Sequence, residues 1–288
     1  VTTSATTGKP PVSAADRAPG PARALADLAA AASSEWVKLR SVRSTWWGLA
    51  AALLLMAVVA PGAAVSTVGN MQNGNLPAAE VPASEMAVYA AMWAVQFAVI
   101  AVALLVITSE YSSRSIHPTL QAVPVRVRVL AAKALAVAAT VFAASLVTGA
   151  VGTLLAHLVT RHPYLEGYGT LDPGQAAADV VRMAVYLTAV AVSTVGVGAA
   201  LRSAAAALTT VFMLILGLPV MLLLMGSEVG VYLAGRMPFL AGISFVDSAF
   251  VIGRFDHALT PAAGGAALAC WTAASLAAGA LVLRFRDA

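Results

Sequence analysis

Side chains able to ionise or to dock a charged partner are concentrated in one short stretch, ITSEYSSRSIHPTLQAVPVRVRVLAAK (residues 107–133). It holds Glu110, Arg114, His117, Arg126, Arg128 and Lys133 between two long apolar runs. Such a set suits recognition rather than covalent chemistry, and the signatures of covalent or phosphoryl chemistry are missing from the sequence. There is no G-x-x-x-x-G-K-[ST] phosphate loop, no H-E-x-x-H and no cysteine pair. His117, His157, His162 and His257 are scattered, which argues against a metal site. Gln96 is the most polar residue near the middle of an apolar run, placed to bond a neighbouring helix or a substrate. No carboxylate, lysine or arginine occupies the central turns of the runs, which counts against a proton-coupled carrier.

The elements that would position these residues follow from composition. Of 288 residues, 60% are hydrophobic and 10% charged, more apolar surface than a soluble domain of this size hides. The apolar residues gather into six runs: Thr45 to Val68, Met86 to Thr108, Ala134 to Leu158, Val180 to Leu201, Ala204 to Met225 and Ala262 to Leu283. Each makes a helix of roughly 33 to 37 Å, enough to cross a hydrocarbon core of about 30 Å with modest tilt. The expected fold is an all-α polytopic membrane protein with six transmembrane helices. The first run starts some forty residues in, so a membrane anchor is expected rather than a cleaved signal peptide. Cys270, the single cysteine, rules out an intrachain disulfide.

Charge then sets the expected orientation. Lys9, Arg17, Arg23, Lys38, Arg40, Arg43, Arg114, Arg126, Arg128, Lys133, Arg202, Arg284 and Arg286 fall on the side holding both termini. Arg161, Arg182, Arg236 and Arg254 fall on the other, with Glu80, Glu85, Glu166, Asp172, Asp179, Glu228, Asp247 and Asp256. Basic residues stay with cytoplasmic loops, so both termini are expected inside. The net charge of +4 is then a topology signal, and no nucleic-acid partner is expected.

Residues 109–133 form the sizeable cytoplasmic loop in this topology. Tyr111, Ile116, Leu120 and Val123 recur at roughly helical spacing, with a break at His117-Pro118 and an end at Pro124. Two readings stand: a solvated connector whose arginines reach lipid headgroups, or a docking helix for a soluble partner. Before the first run, Leu25, Leu28, Ala32, Trp36, Leu39 and Val42 recur every three or four residues, predicting an amphipathic interfacial helix over 21–43. Residues 1–20, rich in Thr, Ser, Ala and Pro, are expected to be a disordered tail, and residues 44–288 the six-helix domain. Pro219 is expected to kink the fifth helix. VGVYLAG, FLAGISF and SAFVIG, between the fifth and sixth runs, are too short to span and are expected to dip into the outer leaflet.

From about residue 33 onward the chain resembles an ABC-2 type transporter permease of the actinobacterial kind. The resemblance is carried by EWVKLRSVRSTWW, by ITSEY...I..TL.AVP.R.RVLAAK, by the apolar outer pieces and by the closing RFRDA. It implies a membrane subunit of the bacterial plasma membrane, paired with a second permease copy or a related permease and with separate ATP-binding cassette ATPase subunits. The implied function is substrate movement, outward, with ATP and Mg held on the partner subunit and no cofactor or metal bound by this chain. By matching position, Glu110, Tyr111, Arg114, Ile116, Thr119, Leu120, Pro124 and Arg126 are coupling candidates. Glu35, Trp36, Lys38, Leu39 and Arg40 are interfacial-helix candidates. The chain departs from the pattern near Arg114, where relatives often carry glycine, and at Pro118. The resemblance names no substrate-binding residue. The alternatives are a membrane anchor or scaffold recruiting a soluble partner, and a standalone secondary carrier.

Overall fold

The structure is a computed structural model that describes residues 21–112, 126–165, 167–248 and 259–285. The expected N-terminal tail, most of the 109–133 loop and most of SAFVIG lie outside the described residues. Helix α1 (Pro21–Ser41) leads into six helices long and apolar enough to cross a membrane, an all-α polytopic membrane protein. The first span is α2 (Arg43–Gln72). The second is α3 (Ala83–Ala90) and α4 (Gln96–Ser112), continuous through a π-helical turn at Ala91–Val95. The third is α5 (Arg126–Thr160) and the fourth α6 (Pro173–Leu201). The fifth is α7 (Ala204–Phe212) and α8 (Leu218–Leu224) with a π-helical turn between them at Met213–Gly217, and the sixth is α11 (Pro261–Phe285). Two residue pairs, β1 (Val81–Pro82) and β2 (Gly169–Thr170), make a small parallel bridge that ties the segment before the second span to the one before the fourth.

Local chemistry explains the boundaries. Asp172 caps the fourth span, its Oδ1 accepting from the amides of Gly174 at 2.7 Å and Gln175 at 3.1 Å, with Pro173 preset in the first turn. Arg202 closes that span in the left-handed region (φ 55°), and Ser203 caps the next, so two residues suffice to reverse the chain. Pro219 has no N–H for the carbonyl four residues back, and the widened turn at Met213–Gly217 absorbs the mismatch. The third helix is longer than its apolar run: it starts at Arg126 rather than Ala134, and its 35 residues make about 52 Å of helix. Its first turns therefore project beyond the hydrocarbon and offer a surface to α1.

The second and fourth spans are mostly enclosed by protein, while the first, fifth and sixth expose most of their length. Met56, Met92, Met183, Tyr186, Leu187 and Ile243 are fully buried at the centre. Gly149 lies against Val180 and Met183 of the fourth span, and Gly152 against Met56 of the first, so the third span is wedged between both. The fourth and sixth spans approach backbone to backbone: a Cβ on Gly196 would stand 2.5 Å from the Ser275 carbonyl, and one on Gly279 2.7 Å from the Gly196 carbonyl.

Between the fifth and sixth spans, VGVYLAG and FLAGISF fall in the short helices α9 (Glu228–Ala234) and α10 (Pro238–Val246), bent by 70° at the break between them. Helix α10 is buried along nearly its whole length. Trp93 meets Phe239 edge-on at 5.1 Å, and the Trp271 indole donates to the Arg236 carbonyl at 2.8 Å, which pins the bend to the second and sixth spans.

Replacing Gly196 by leucine should lower stability by about 1–3 kcal/mol or more, because the obstacle is backbone that cannot move aside. Gly62→Leu, where an added Cβ meets nothing within 4 Å, should leave it unchanged. Thermal unfolding of both variants in detergent, followed by fluorescence-detected size exclusion, checks the contrast.

Candidate functional site

Helix α1 is fastened to the projecting start of the third span by charge. Glu35 is buried, and its Oε2 takes the Lys133 ammonium at 2.5 Å while Oε1 takes Lys38 at 2.7 Å. Two turns earlier on α1, Asp27 accepts from the Arg128 guanidinium at 3.0 Å. As α1 advances from Asp27 to Glu35 its partners advance from Arg128 to Lys133, so the two helices run in the same sense. Lys133 is buried together with Glu35, which makes this an enclosed pair rather than a surface contact. Burial would raise the Glu35 carboxyl, but the attraction and hydrogen bonds of Lys133 and Lys38 prevail and hold it below its ordinary value of 4.5.

The apolar stripe of α1 divides in two. Leu39 is buried and Leu28 half-buried toward the bundle beside Glu35, whereas Leu25, Trp36 and Val42 remain exposed. The inward face is thus set by the ion pair rather than by the stripe alone. Lys38 and Arg40 are exposed, and the Arg40 carbonyl accepts from the Trp46 indole at 2.9 Å across the corner between α1 and the first span. Trp46 and Trp47 stand exposed just inside that corner.

Of the coupling candidates, Glu110 and Tyr111 occupy the end of α4 (Gln96–Ser112) and Arg126 is the first residue of α5; their side chains are outside the described set. Arg114, Ile116, Thr119, Leu120 and Pro124 lie outside the described residues, as does the His117-Pro118 break. The helix ends flanking that segment are at the same end of the bundle as the Glu35 cluster. A cavity of about 240 Å³ opens there, lined by Glu35, Lys38, Leu39, Ser41, Val42, Ser44, Thr45, Leu105, Val106 and Lys133.

Two further polar groups lie deeper. Gln96 is fully buried, accepts from the Tyr186 hydroxyl at 2.7 Å, and donates its side-chain amide to the Met92 carbonyl. It bonds a neighbouring helix, one of the two roles open to it from sequence. The π turn makes room for this: the Gln96 N–H bonds to Ala91 five residues back, leaving the Met92 carbonyl to the side chain. At the opposite end, Glu85 and Asp179, read from sequence as loop carboxylates, are buried. Ser84 donates to Asp179 at 2.7 Å, Ser248 donates to Glu85 at 3.1 Å, and the Arg182 guanidinium donates to the Val246 carbonyl at 3.3 Å. A second cleft, of about 330 Å³, runs along the first span near Ser66, Thr67, Asn70 and Tyr89. Among the described residues, no three His, Cys, Asp or Glu side chains are grouped to hold a metal.

Sequence reasoning picked Glu35 and Lys133 separately and missed their pairing. The available signal was sign alone: Asp27 and Glu35 recur on one helical face, and Arg128 and Lys133 begin the third span.

Glu35→Gln or Lys133→Met alone should cost about 1.5–3 kcal/mol by breaking a buried charge-assisted hydrogen bond, and the Glu35→Met/Lys133→Met double variant should recover part of it. A folded value below the unfolded 4.5 means the contribution of Glu35 is present above that pH and is lost as pH falls through the lower folded value. The gap in thermal midpoint between wild type and Glu35→Gln should therefore narrow as the pH is lowered below 4.5. Tyr186→Phe should cost about 1 kcal/mol by leaving the Gln96 carbonyl oxygen without its donor, an effect removed when Gln96→Leu is added.

No protein-family model matches this chain, and no curated protein matches it.

Proposed function

We propose that this chain is the permease subunit of an ATP-binding cassette transporter of the ABC-2 type. It would export a substrate across the bacterial cytoplasmic membrane with both termini inside. A second permease copy or a related permease, and separate ATPase subunits, would complete the machine. The observation that carries the reading is the Glu35–Lys133 pair. It joins the helix before the first span to the end of the 109–133 loop, where the third span begins. A soluble partner pressing on either element would move both, and the third span packs against the first and the fourth.

In this reading α1 is an interfacial helix. Its exposed Trp36 and the exposed Trp46 and Trp47 sit in the headgroup layer, and the 109–133 loop is the coupling element. ATP and Mg act on the partner chain, whose differential affinity for two membrane states drives alternation between them. The chain itself contributes no group that reacts covalently with substrate.

The carrier alternative draws support from buried Glu85 and Asp179, which sequence placed in loops. Both, however, are held by serine hydroxyls near the ends of their helices, away from the middle of the bundle where a relayed proton would have to pass. The scaffold alternative has no comparable observation in its favour.

Co-expression with an ATP-binding cassette subunit, if one is encoded beside this chain, should give a co-purifying, active ATPase. Glu110→Lys should reduce its recovery at least about tenfold while leaving membrane insertion intact, since a reversed charge at a docking point removes one attraction and adds a repulsion. Absence of any ATPase with the wild-type chain would overturn the assignment.

A further inference from the structure

We propose that the 330 Å³ cleft along the first span binds the head group of an uncharged, hydroxyl-bearing membrane amphiphile, a neutral glycolipid. The inference goes beyond the transport reading and does not depend on it, since it rests only on the cleft and the apolar helices that line it.

The cleft follows one face of the first span. Val59, Gly62 and Ala63 line its inner part, and Ser66, Thr67 and Asn70 the part near the end of the helix at Gln72. From Val59 to Asn70 this face extends about 16 Å along the axis, so one end lies inside the hydrocarbon and the other at headgroup level. Thr67 is 5% exposed, and its hydroxyl has no hydrogen-bond partner among the described residues. Thr108, Thr140, Thr188 and Thr194, in other spans, each bond back to the carbonyl four residues earlier. Thr67 keeps its donor for an occupant of the cleft. Beside it the Ser66 hydroxyl is exposed, and among the described residues the Asn70 side-chain oxygen meets only Asn75, at 3.3 Å.

Among the described residues no lysine, arginine, histidine or carboxylate lines the cleft, so an ion entering it would lose hydration without gaining a counter-charge. A bare hydrocarbon would leave the Thr67 hydroxyl unpaired, and water alone would wet Val59, Gly62 and Ala63. A neutral amphiphile meets both halves. Tyr89 of the second span adds an aromatic ring, an apolar surface suited to the C–H face of a sugar. The volume equals about eleven waters at ~30 Å³ each, room for one sugar ring. The acyl chains would leave past Gly62, where an added Cβ meets nothing within 4 Å, toward the exposed Val58 one turn deeper.

The test uses the full-length chain in phosphatidylcholine nanodiscs, because an alkyl glycoside detergent would itself compete for the cleft. Monoglucosyl diacylglycerol, diacylglycerol with the same chains, or phosphatidylglycerol is added, and the lipid retained per chain is read by native mass spectrometry. The glucosyl lipid should be retained over the other two, and free glucose should not displace it. Thr67→Val should weaken retention about fivefold, the size of one neutral hydrogen bond. Gly62→Leu fills the open part of the cleft and should weaken it at least about tenfold. Gly69→Leu adds the same side chain to the same helix in equally open space, but Gly69 does not line the cleft, and retention should survive it. Equal loss in Gly62→Leu and Gly69→Leu would reduce the effect to general lipid contact and overturn the proposal. Equal retention of diacylglycerol or phosphatidylglycerol would overturn it as well, and displacement by free glucose would make a soluble sugar the ligand instead. A second copy of the chain retained by wild type and lost in Gly62→Leu would make the cleft a protein interface and likewise overturn it.

Discussion

Hydrocarbon offers no partner to a carboxylate or an amide, so a polar side chain in a membrane bundle must find another side chain or a backbone group on a neighbouring helix. This requirement organises the molecule at three depths. At the basic end Glu35 is closed on by Lys133 and Lys38; in the interior Gln96 takes the Tyr186 hydroxyl; at the far end Ser84 and Ser248 satisfy Asp179 and Glu85. Apart from the Lys38 contact, which lies within α1, each joins elements distant in sequence, so together they specify which helices meet. Apolar packing alone discriminates weakly when lipid is as apolar as leucine.

Between those levels the helices are drawn together by small residues. Gly149 and Gly152 let the third span sit between the first and fourth, and Gly196 and Gly279 bring the fourth and sixth into backbone contact. The second and fourth spans become the enclosed pair, and α10, too short to cross, is stabilised by burial against them and the sixth. Both π turns lie within spans. One precedes Pro219, where a donor is missing; the other precedes Gln96, where a side-chain donor is present, and in each the wider turn accommodates the departure from regular helix bonding.

The basic end is where mechanical coupling would act. Because α1 is held by two ion pairs to the projecting start of the third span, it belongs to the bundle rather than trailing from it. In the proposed transporter, the ATPase would act on a lever made of α1 and the flanks of the 109–133 loop.

The six apolar helices, the two-residue reversal at Arg202-Ser203 and the short helices between the fifth and sixth spans were legible in the sequence, because apolar run length and turn residues are local signals that bilayer thickness and backbone sterics act on directly. So was the polar character of Gln96, though not its partner, since nothing near it in the chain names Tyr186. The face of α1 that turns inward was not legible either. Its apolar stripe predicts Leu25, Trp36 and Val42 as readily as Leu39, and the choice was made by Lys133, ninety-eight residues beyond Glu35. Glu85 and Asp179 read as loop carboxylates for the same reason: their serine partners come from other helices. Sequence alone therefore determined how many helices are long and apolar enough to cross and roughly where each lies. Tertiary structure alone decided which polar groups meet, because pairing depends on the relative placement of helices that no local pattern encodes.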